Sequence, residues 1–528
     1  TTKQTMSNEN NKSSADMFLF WGCFVALITT AFAFSTRTYL INTPEMWPAA
    51  FSLDAVQSQE LFGAGIWPFA ISIIVFSLVI DKIGYKTSMV FSFVCYAAYT
   101  LLAFMAHSAV AGAEGEAAAA AQKQAYNYLY WGSIILGLGN GTVEAFINPV
   151  VATMFNKEKT KWLNILHAGW PGGLVLGGLL TILIGPDAIA DDWRILVALI
   201  AIPAVVFLIM LIKANFPVNE RVASGTTYKE MLAEFGALGA FLACFMIFGE
   251  LAGVFKWGTA VKWGLISAAT IAYGIYCKSV GRPILIILCL IMMPLATTEL
   301  GTDGAITGIM GGVMENPLYI LIYTSALMAI LRFFLAGPIV QKLTPIGLLI
   351  ASSAFAIAGL FFLSTSTTAV MIFVFATLYG IGKTFFWPTM LGVVSEQCPK
   401  GGALTLNAIA GIGMLTVGII ALPLIGKMQE DSVASKIQKE TYDSISKESE
   451  YFLGKYTAVD PDKLNALEAD KKKTLEDEIA VARQGALSKM TVFPFIMLLA
   501  YIGLFLYFRS KGGYKTIELG EGGGGAAH

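Results

Sequence analysis

The sequence has little charge and little histidine. Of its 528 residues, 13% are Asp, Glu, Lys or Arg and three are His, whereas 56% are hydrophobic. A soluble protein carries charge on about a quarter of its residues. The composition, with a mean hydropathy of +0.67, therefore indicates a polytopic membrane protein. The formal net charge of -1 conceals short loops rich in Lys and Arg, a distribution that does not suggest nucleic-acid binding.

Cysteine pairs, metal motifs and catalytic motifs are also missing from the sequence. The six Cys residues lie mostly in apolar runs, without a CxxC pair or a His cluster, so we expect no metal site and no cofactor. The polar N-terminus lacks the pattern of a removable signal peptide, and we expect the first membrane helix to direct its own insertion. Because there is no phosphate-binding loop and no nucleophile elbow, neither an enzyme nor an ATP-driven pump is expected.

Long apolar runs dominate the rest of the chain. A run of about 20 residues crosses about 30 Å of hydrocarbon, and by this measure the sequence contains about fourteen spans. Lys and Arg concentrate in the loops that face the cytoplasm if the N-terminus does. The sequence therefore predicts an all-α polytopic protein of the plasma (inner) membrane, surrounded by lipid, with both termini in the cytoplasm.

An internal repeat relates residues 137–178 to residues 380–418. At a constant offset, Gly137 meets Gly380 and Asn164 meets Asn407. Two parallel six-helix halves are typical of transporters that bind their substrate between helical bundles.

The predicted organisation follows from these runs and the repeat. It comprises a cytoplasmic tail (1–16), an N-terminal six-helix bundle (17–213), a linker with two extra transmembrane helices (214–282), helices one to five of a C-terminal bundle (283–426), a long external helical loop (427–489), the last transmembrane helix (490–510) and a flexible cytoplasmic tail (511–528). We expect the loop 427–489 to form a solvated helical hairpin or cap, a candidate docking site for a protein partner, and we expect a monomer.

The motif DKIGYK at residues 81–86 resembles the signature loop of the major facilitator superfamily, although Ser77 stands where its first glycine is usual. With the repeat, the resemblance covers nearly the whole chain. It implies a fold of two pseudo-symmetric six-helix bundles that rock to give alternating access. The loop itself can latch one end of the protein in one state. The predicted gating residues are Asp81, Lys82, Gly84, Lys86 and Arg332.

Within that superfamily, EAFINP (144–149) and LNILH (163–167) resemble the fourth and fifth helices of the fucose/proton symporter family. The resemblance implies proton coupling and a sugar substrate. The chain departs from the family at Thr29, where a helix-one carboxylate is usual, and at Trp170, where a sugar-binding asparagine is usual.

Glu144 is the first candidate for a functional residue. It lies midway along its span, where a carboxylate costs at least about 2.5 kcal/mol, so a proton-carrying role is favoured over a structural one. His167 is either a proton relay beside Glu144 or a hydrogen-bonded core histidine.

Lys383 is the second intramembrane charge. The repeat maps it to Asn140, one turn from Glu144, which predicts that the two charges lie within about 6 Å in depth and face the same cavity. The alternatives are a charge switch between Glu144 and Lys383 or a permanent structural pair.

Glu299 and Asp303 lie four residues apart in a glycine-rich span, near its outer end. They suit an external gate or a cation site, with Arg37 as their complement unless it reaches water. Amides and indole rings suit a polyhydroxylated ligand. The predicted substrate- and proton-binding residues are Glu144, Asn148, Asn164, His167, Trp170, Lys383, Trp387, Glu299, Asp303 and Arg37.

Together these features predict a secondary active transporter that moves a sugar or similar small polar solute, by proton-coupled symport. Two alternatives stay open. One is a proton antiporter that exports amphipathic organic compounds, since HAGWPGGLVLGG (167–178) is similar to a glycine-rich helix of such antiporters. The other is a ligand sensor of transporter fold that carries no flux.

Overall fold

The apolar runs form helices, and the helices group into two units. A computed structural model describes residues 2–43, 46–53, 55–114, 116–314, 318–451 and 454–519. Unit 1 comprises the described residues of 1–286, 391–414 and 516–528, and unit 2 comprises those of 287–390 and 415–515. Residues 391–414 thus fold with unit 1, whereas the sequence assigns them to the C-terminal bundle.

Helices of the first 282 residues all belong to unit 1. They are α1 (Thr2–Asn42), α2 (Trp47–Phe51), α3 (Ala55–Gly63), α4 (Trp67–Ile83), α5 (Tyr85–Val110), α6 (Glu116–Met154), α7 (Lys159–Leu166), α8 (Gly169–Ile184), α9 (Pro186–Asp191), α10 (Arg194–Leu199), α11 (Ala201–Ile212), α12 (Glu220–Ala223), α13 (Tyr228–Val254) and α14 (Thr259–Cys277). Because α1 begins at Thr2, the predicted tail 1–16 is helical from its second residue.

The helices of the remaining chain are interrupted by π-helical turns. They are α15 (Pro283–Ala296), α16 (Thr302–Met310), α17 (Leu318–Ile330), α18 (Ala336–Leu363), α19 (Ala369–Thr384), α20 (Phe386–Gln397), α21 (Gly402–Thr416), α22 (Leu422–Lys436), α23 (Lys439–Ile445), α24 (Pro461–Asn465), α25 (Ala469–Arg483), α26 (Ala486–Met490) and α27 (Val492–Ser510). The π turns are Thr297–Gly301, Leu331–Leu335 and Val417–Ala421, and Pro399–Gly401 forms a 3-10 turn. Residues 520–528 of the predicted flexible tail lie outside the described residues.

In the described part of the chain, twelve helical segments are long and apolar enough to cross a membrane. The sequence predicts about fourteen spans, and two places account for the difference. Tyr319–Leu363 has 45 residues, about twice the length of one span, and it is broken at Thr344, where φ is 60°. Thr344 accepts a hydrogen bond from the Gly347 amide, and Pro345 follows it, as at the start of a new helix. The second place is α14, a helix of 19 residues that the sequence counts as a span and that is not among these twelve segments.

The two extra helices, α13 and α14, are tied together at one end. Gly236 interrupts α13 with a φ of 63°, and a Cβ there would lie 2.0 Å from the Gly281 amide nitrogen. The amides freed by this break, those of Ala237 and Leu238, donate to the carbonyls of Ser279 and Val280 at 2.9 and 3.0 Å. Only glycine fits this position, because it combines a positive φ with close backbone contact.

Residues 427–489, here called the cap, have a hydrophobic core of their own. It includes Val433, Tyr442, Ile445 and Ile479, all buried. Contrary to the prediction of an all-helical loop, the cap contains an antiparallel hairpin of β1 (Ser446–Tyr451) and β2 (Gly454–Val459). The second strand, GKYTAV, contains the β-branched and aromatic residues that favour a pleated surface.

Two contacts fasten the cap to the rest of unit 2. The Gln484 side-chain amide donates to the carbonyls of Leu363 and Ser366 at 2.9 and 2.7 Å. Gly312 packs so closely on α25 that a Cβ there would lie 2.3 Å from the carbonyl carbon of Ala480. The cap is therefore packed directly on two membrane helices of its unit, α16 and α18.

Replacing Ile479 in the cap core with alanine should open the cap without affecting the membrane helices. Ile479 is 4% exposed, and removing a buried aliphatic side chain costs about 2–5 kcal/mol. We expect limited proteolysis of the purified protein to cleave Ile479→Ala faster within residues 427–489. The matched control is Val481→Ala on the same helix, since Val481 is 49% exposed. Equal cleavage of the two variants would contradict a packed cap core.

Candidate functional site

The first polar group of unit 1 is centred on Glu144 in α6. The Asn148 side-chain amide, one helical turn later, donates to the Glu144 carboxylate at 2.8 Å and to the Glu144 carbonyl at 3.1 Å. Both side chains are buried, with Glu144 6% exposed. Among the residues that the structure describes, the Glu144 carboxylate has no cationic partner.

His167 extends this group. It lies between α7 and α8, where the fifth predicted span is broken. Its Nε2 lies 2.9 Å from the Asn148 Oδ1. Because an amide oxygen only accepts hydrogen bonds, this geometry assigns a proton to Nε2. Asn148 thus joins His167 and Glu144 into one hydrogen-bonded chain. Whether His167 is a proton relay or a hydrogen-bonded core histidine stays a prediction.

A second polar group in unit 1 was not predicted from the sequence. The Tyr96 hydroxyl donates to the Asn140 Oδ1 at 2.9 Å and shares a hydrogen bond of 2.9 Å with Thr30. Asn140 lies one turn before Glu144 on α6, and Tyr96 interacts electrostatically with Glu144. These residues add hydroxyl and amide groups beside the buried carboxylate.

Three other predicted residues of unit 1 have separate partners. Arg37 is 1% exposed, so of the two alternatives for it, the one in which it reaches water does not hold. Its guanidinium donates to the carbonyls of Leu61 and Phe62, both at 2.9 Å, and so caps the negative end of α3. The Asn164 side chain donates to the Thr160 carbonyl of its own helix at 2.9 Å.

Trp170, the remaining predicted residue of unit 1, belongs to an aromatic group. Its ring centroid lies 5.7 Å from that of Phe34 and 6.2 Å from that of Phe69. Trp170 is partly exposed. Phe34, Phe69 and Trp170 therefore form an apolar cluster on α1, α4 and α8, in which Phe69 is buried and the other two rings are partly exposed.

In unit 2, Glu299 lies at the centre of a buried ion pair. Arg332 Nη2 donates to its carboxylate at 2.7 Å, and the backbone amide of Trp387 donates to it at 3.0 Å. The two charged side chains are 4% and 1% exposed. Each lies in a π-helical turn, a feature that is frequent at functional sites. The sequence assigns Arg332 to gating, and the structure gives it this buried carboxylate as a partner.

Arg332 also donates a hydrogen bond at the break between α19 and α20. Pro388 has no amide hydrogen, so the Thr384 carbonyl, four residues earlier, lacks its helical donor. Arg332 Nε donates to that carbonyl at 2.5 Å. One side chain thus satisfies both a buried carboxylate and a carbonyl that a proline leaves without a donor.

Lys383 and Asp303 form the second ion pair of unit 2. The Lys383 ammonium donates to the Asp303 carboxylate, and to the Thr324 hydroxyl at 3.2 Å. The Tyr379 ring lies 5.3 Å from the ammonium. The sequence predicts that Lys383 and Glu144 face the same cavity, with a charge switch or a permanent pair as the alternatives. Lys383 belongs to unit 2 and Glu144 to unit 1, and each has partners inside its own unit. The pairing of Lys383 with Glu144 stays a prediction.

The DKIGYK loop connects α4 to α5. Asp81, in the last turn of α4, accepts two hydrogen bonds from Arg221, at 2.5 Å from Nη2 and 3.2 Å from Nε. Lys82 lies 4.5 Å from the ring centroid of Tyr228. Gly84 takes a φ of 85° between the two helices, a conformation that favours glycine, and Lys86 is exposed.

A model of the Major Facilitator Superfamily matches residues 23–423. The chain belongs to this superfamily. Membership points to a multi-pass membrane transporter rather than an enzyme. Sequence comparison with curated proteins finds no match.

Solved structures of the superfamily share the fold of this chain. The proton:xylose symporter XylE of E. coli is 14% identical, with a TM-score of 0.59, over 96% of this chain and 98% of that one. The fucose:proton symporter FucP of E. coli is 13% identical, with a TM-score of 0.51, over 90% and 98%. The human organic anion transporter MFSD10 is 11% identical, with a TM-score of 0.52, over 92% and 99%. Identities this low establish the fold and not the substrate.

Two partners of the predicted residues, Arg221 and Thr324, were not predicted from the sequence. Arg221 lies in the linker after α11, and only the net positive charge of that loop pointed to it. Thr324 carries no signal in the sequence, since threonine is common in apolar helices. Among the described residues, no group of three or more His, Cys, Asp or Glu side chains is placed to hold a metal ion.

Replacing Arg332 with leucine should strongly destabilise the transporter. The change leaves Glu299 buried without a cation and the Thr384 carbonyl without its donor. Breaking a buried pair from one side costs about 3–5 kcal/mol. We expect a clear fall in the thermal unfolding midpoint in detergent and a partial recovery in the double variant with Glu299→Gln.

The control for Arg332→Leu is Arg194→Leu. Arg194 pairs with Asp192 at 2.7 Å, with side chains 38% and 37% exposed, and its hydrogen bond lowers the pKa of Asp192. Exposed pairs contribute about 0–1 kcal/mol. A fall no larger for Arg332→Leu than for Arg194→Leu would contradict the importance of the buried pair.

Proposed function

We propose that this protein is a secondary active transporter that moves a sugar or similar small polar solute together with protons by alternating access. The observation that carries the proposal is the chain Glu144–Asn148–His167. It places a buried carboxylate without a cation one amide away from a histidine. Membership of the superfamily supports transport, and this site supports proton coupling.

Glu144 is the proposed proton carrier because of how it differs from the acids of unit 2. An ionised carboxylate in an apolar interior is costly unless a cation or several donors compensate it. Glu299 and Asp303 each have a cation, whereas Glu144 has one amide donor. Taking up a proton relieves that cost.

The proposed solute site in unit 2 is built from Lys383, Asp303 and Thr324, with Trp387 nearby in sequence. The Asp303 side chain is 15% exposed, so a ligand can approach this pair. An ammonium, a carboxylate and a hydroxyl offer both donors and acceptors to a polyol. Unit 1 separately contains amide side chains of this kind, those of Asn140, Asn148 and Asn164.

The comparisons with solved structures support the transporter fold that this proposal requires. XylE is a proton symporter of xylose and FucP is a proton symporter of fucose. At 14% and 13% identity, these proteins share the fold with this chain, and their substrates are only candidates for it.

Gating and topology complete the proposal. We expect the pair Asp81–Arg221, with Lys82, Gly84 and Lys86 around it, to close and open during transport. We expect a monomer in the plasma (inner) membrane with both termini cytoplasmic. The cap is a candidate docking site for a protein partner.

A second candidate function is the export of amphipathic organic compounds by proton antiport. The observation that favours it is the apolar cluster of Phe34, Phe69 and Trp170. Apolar rings suit such compounds better than they suit a polyol. The direction of a pH-driven flux separates the two functions.

Replacing Glu144 with glutamine should abolish uphill uptake and preserve exchange. Glutamine keeps the size and hydrogen-bonding capacity of the side chain but carries no transferable proton. The measurement uses proteoliposomes with an imposed pH gradient and a panel of labelled monosaccharides that includes xylose and fucose. We expect wild-type uptake to follow the gradient, and Glu144→Gln to retain only counterflow.

The matched control is Glu250→Gln, because Glu250 is a partly buried acid of unit 1 on α13, outside the site. It should behave like the wild type. Wild-type uptake that ignores the pH gradient contradicts proton coupling. Solute efflux driven by proton entry indicates the antiporter, and binding without any flux indicates a sensor.

A further inference from the structure

Pro149 leaves a gap in the hydrogen bonding of α6, next to Glu144. A proline has no amide hydrogen, so the carbonyl four residues earlier loses its helical donor. In α6 that carbonyl belongs to Ala145, the residue after Glu144. Ala145 is 0% exposed, and a buried carbonyl without a donor is costly.

The missing donor comes from a distant part of the chain. The Asn407 side-chain amide, on α21, donates to the Ala145 carbonyl at 2.8 Å. Asn407 is itself 0% exposed, and both residues belong to unit 1. The side chain of Asn407 thus takes the place of the amide that Pro149 lacks.

This bond holds α21 in a defined position against α6 within unit 1. Gly411, one turn after Asn407, packs so closely on α4 that a Cβ would lie 2.3 Å from Ile74 Cγ1. The Asn407 Oδ1 is buried and has no hydrogen-bond partner among the described residues. A leucine would fill the same space without that unpaired oxygen, so packing alone does not explain an asparagine here.

Asn407 therefore acts on the turn that carries the acid. Asn148 donates to the Glu144 carbonyl and carboxylate, and Asn407 donates to the next carbonyl along the same turn. The amide of Asn407 brings a positive dipole end to the backbone beside Glu144. That dipole favours the ionised carboxylate, whereas an unpaired carbonyl oxygen disfavours it.

We propose that Asn407 is a positioning residue for Glu144, which makes the proton affinity of Glu144 depend on the docking of α21 against α6. The proposal rests on the role of Glu144 as proton carrier. The titratable groups described around Glu144 are His167, through Asn148, and Tyr96 on α5. Neither contacts Asn407 in the described structure, so their effects are separable from its own.

The test is a double-mutant cycle of Asn407→Leu and Pro149→Ala in the full-length protein. Alanine at position 149 restores a local amide to the Ala145 carbonyl and should make Asn407 dispensable. The first readout is the infrared carboxyl band that disappears in Glu144→Gln, followed against pH. It reports protonation of Glu144 without any transport assay.

Asn407→Leu should move the midpoint of that band to higher pH by about half a unit or more, because the ionised form loses a favourable dipole. It should also lower the thermal unfolding midpoint by about 2–4 °C. In the Pro149→Ala background, both effects should fall to less than about half. Equal effects in the two backgrounds, or a thermal change without a pH shift, would overturn the proposal.

The matched control is Thr142→Val on α6. The Thr142 hydroxyl donates to the Leu138 carbonyl at 2.7 Å, a carbonyl that already has its helical donor, so neither readout should move. The outcome is separable from that of the proposed function. If proteoliposomes show no proton-driven flux but the infrared cycle behaves as described, Asn407 positions Glu144 in a protein that is not a proton symporter.

Discussion

Prolines inside membrane helices impose the requirement on which both polar sites depend. In hydrocarbon, a backbone carbonyl that loses its helical donor cannot turn to water. Pro149 and Pro388 each create such a carbonyl, and each carbonyl has a side-chain donor, Asn407 in unit 1 and Arg332 in unit 2. Both donors lie beside an acid, Glu144 and Glu299. Polar side chains lie inside the apolar units at these points because the backbone carbonyls there require hydrogen-bond donors.

Glu144, Glu299 and Asp303 are compensated in different ways, and this difference underlies the roles proposed for them. Glu299 and Asp303 have cations within hydrogen-bonding distance, so protonating either one would strand a buried positive charge. Among the described residues, the Glu144 carboxylate accepts its hydrogen bond from an amide and has no cation, so protonating Glu144 leaves no buried positive charge unpaired. The free energy of a buried charge thus favours stable ion pairs in unit 2 and a change of protonation state in unit 1.

How much of this was predictable differs between residues. Composition and apolar runs are enough for the membrane class, and the DKIGYK motif with the repeat is enough for the superfamily. The contact of Glu144 with Asn148 follows from four-residue spacing on a helix. The repeat predicts that Lys383 shares a cavity with Glu144, but it does not reveal the carboxylate partner Asp303, which follows a π-helical turn that changes the register of the helix face. The sequence likewise does not reveal the carbonyl partners of Arg37, because the short helix α3 that it caps has no distinctive sequence. Donors to proline-freed carbonyls lie hundreds of positions away or on another helix, so only tertiary structure reveals them.

An alanine at position 149 would give the Ala145 carbonyl a local donor that is present in every state of the protein. The proline removes that donor and makes the bond conditional on the position of α21. The same reasoning applies to Thr384, whose carbonyl is bonded only while Arg332 also holds Glu299. In each unit a permanent intrahelical bond is replaced by a tertiary one beside a carboxylate. A transporter that must change the environment of its acids in each cycle needs bonds of this conditional kind, since a fully bonded helix would present the same environment in every state.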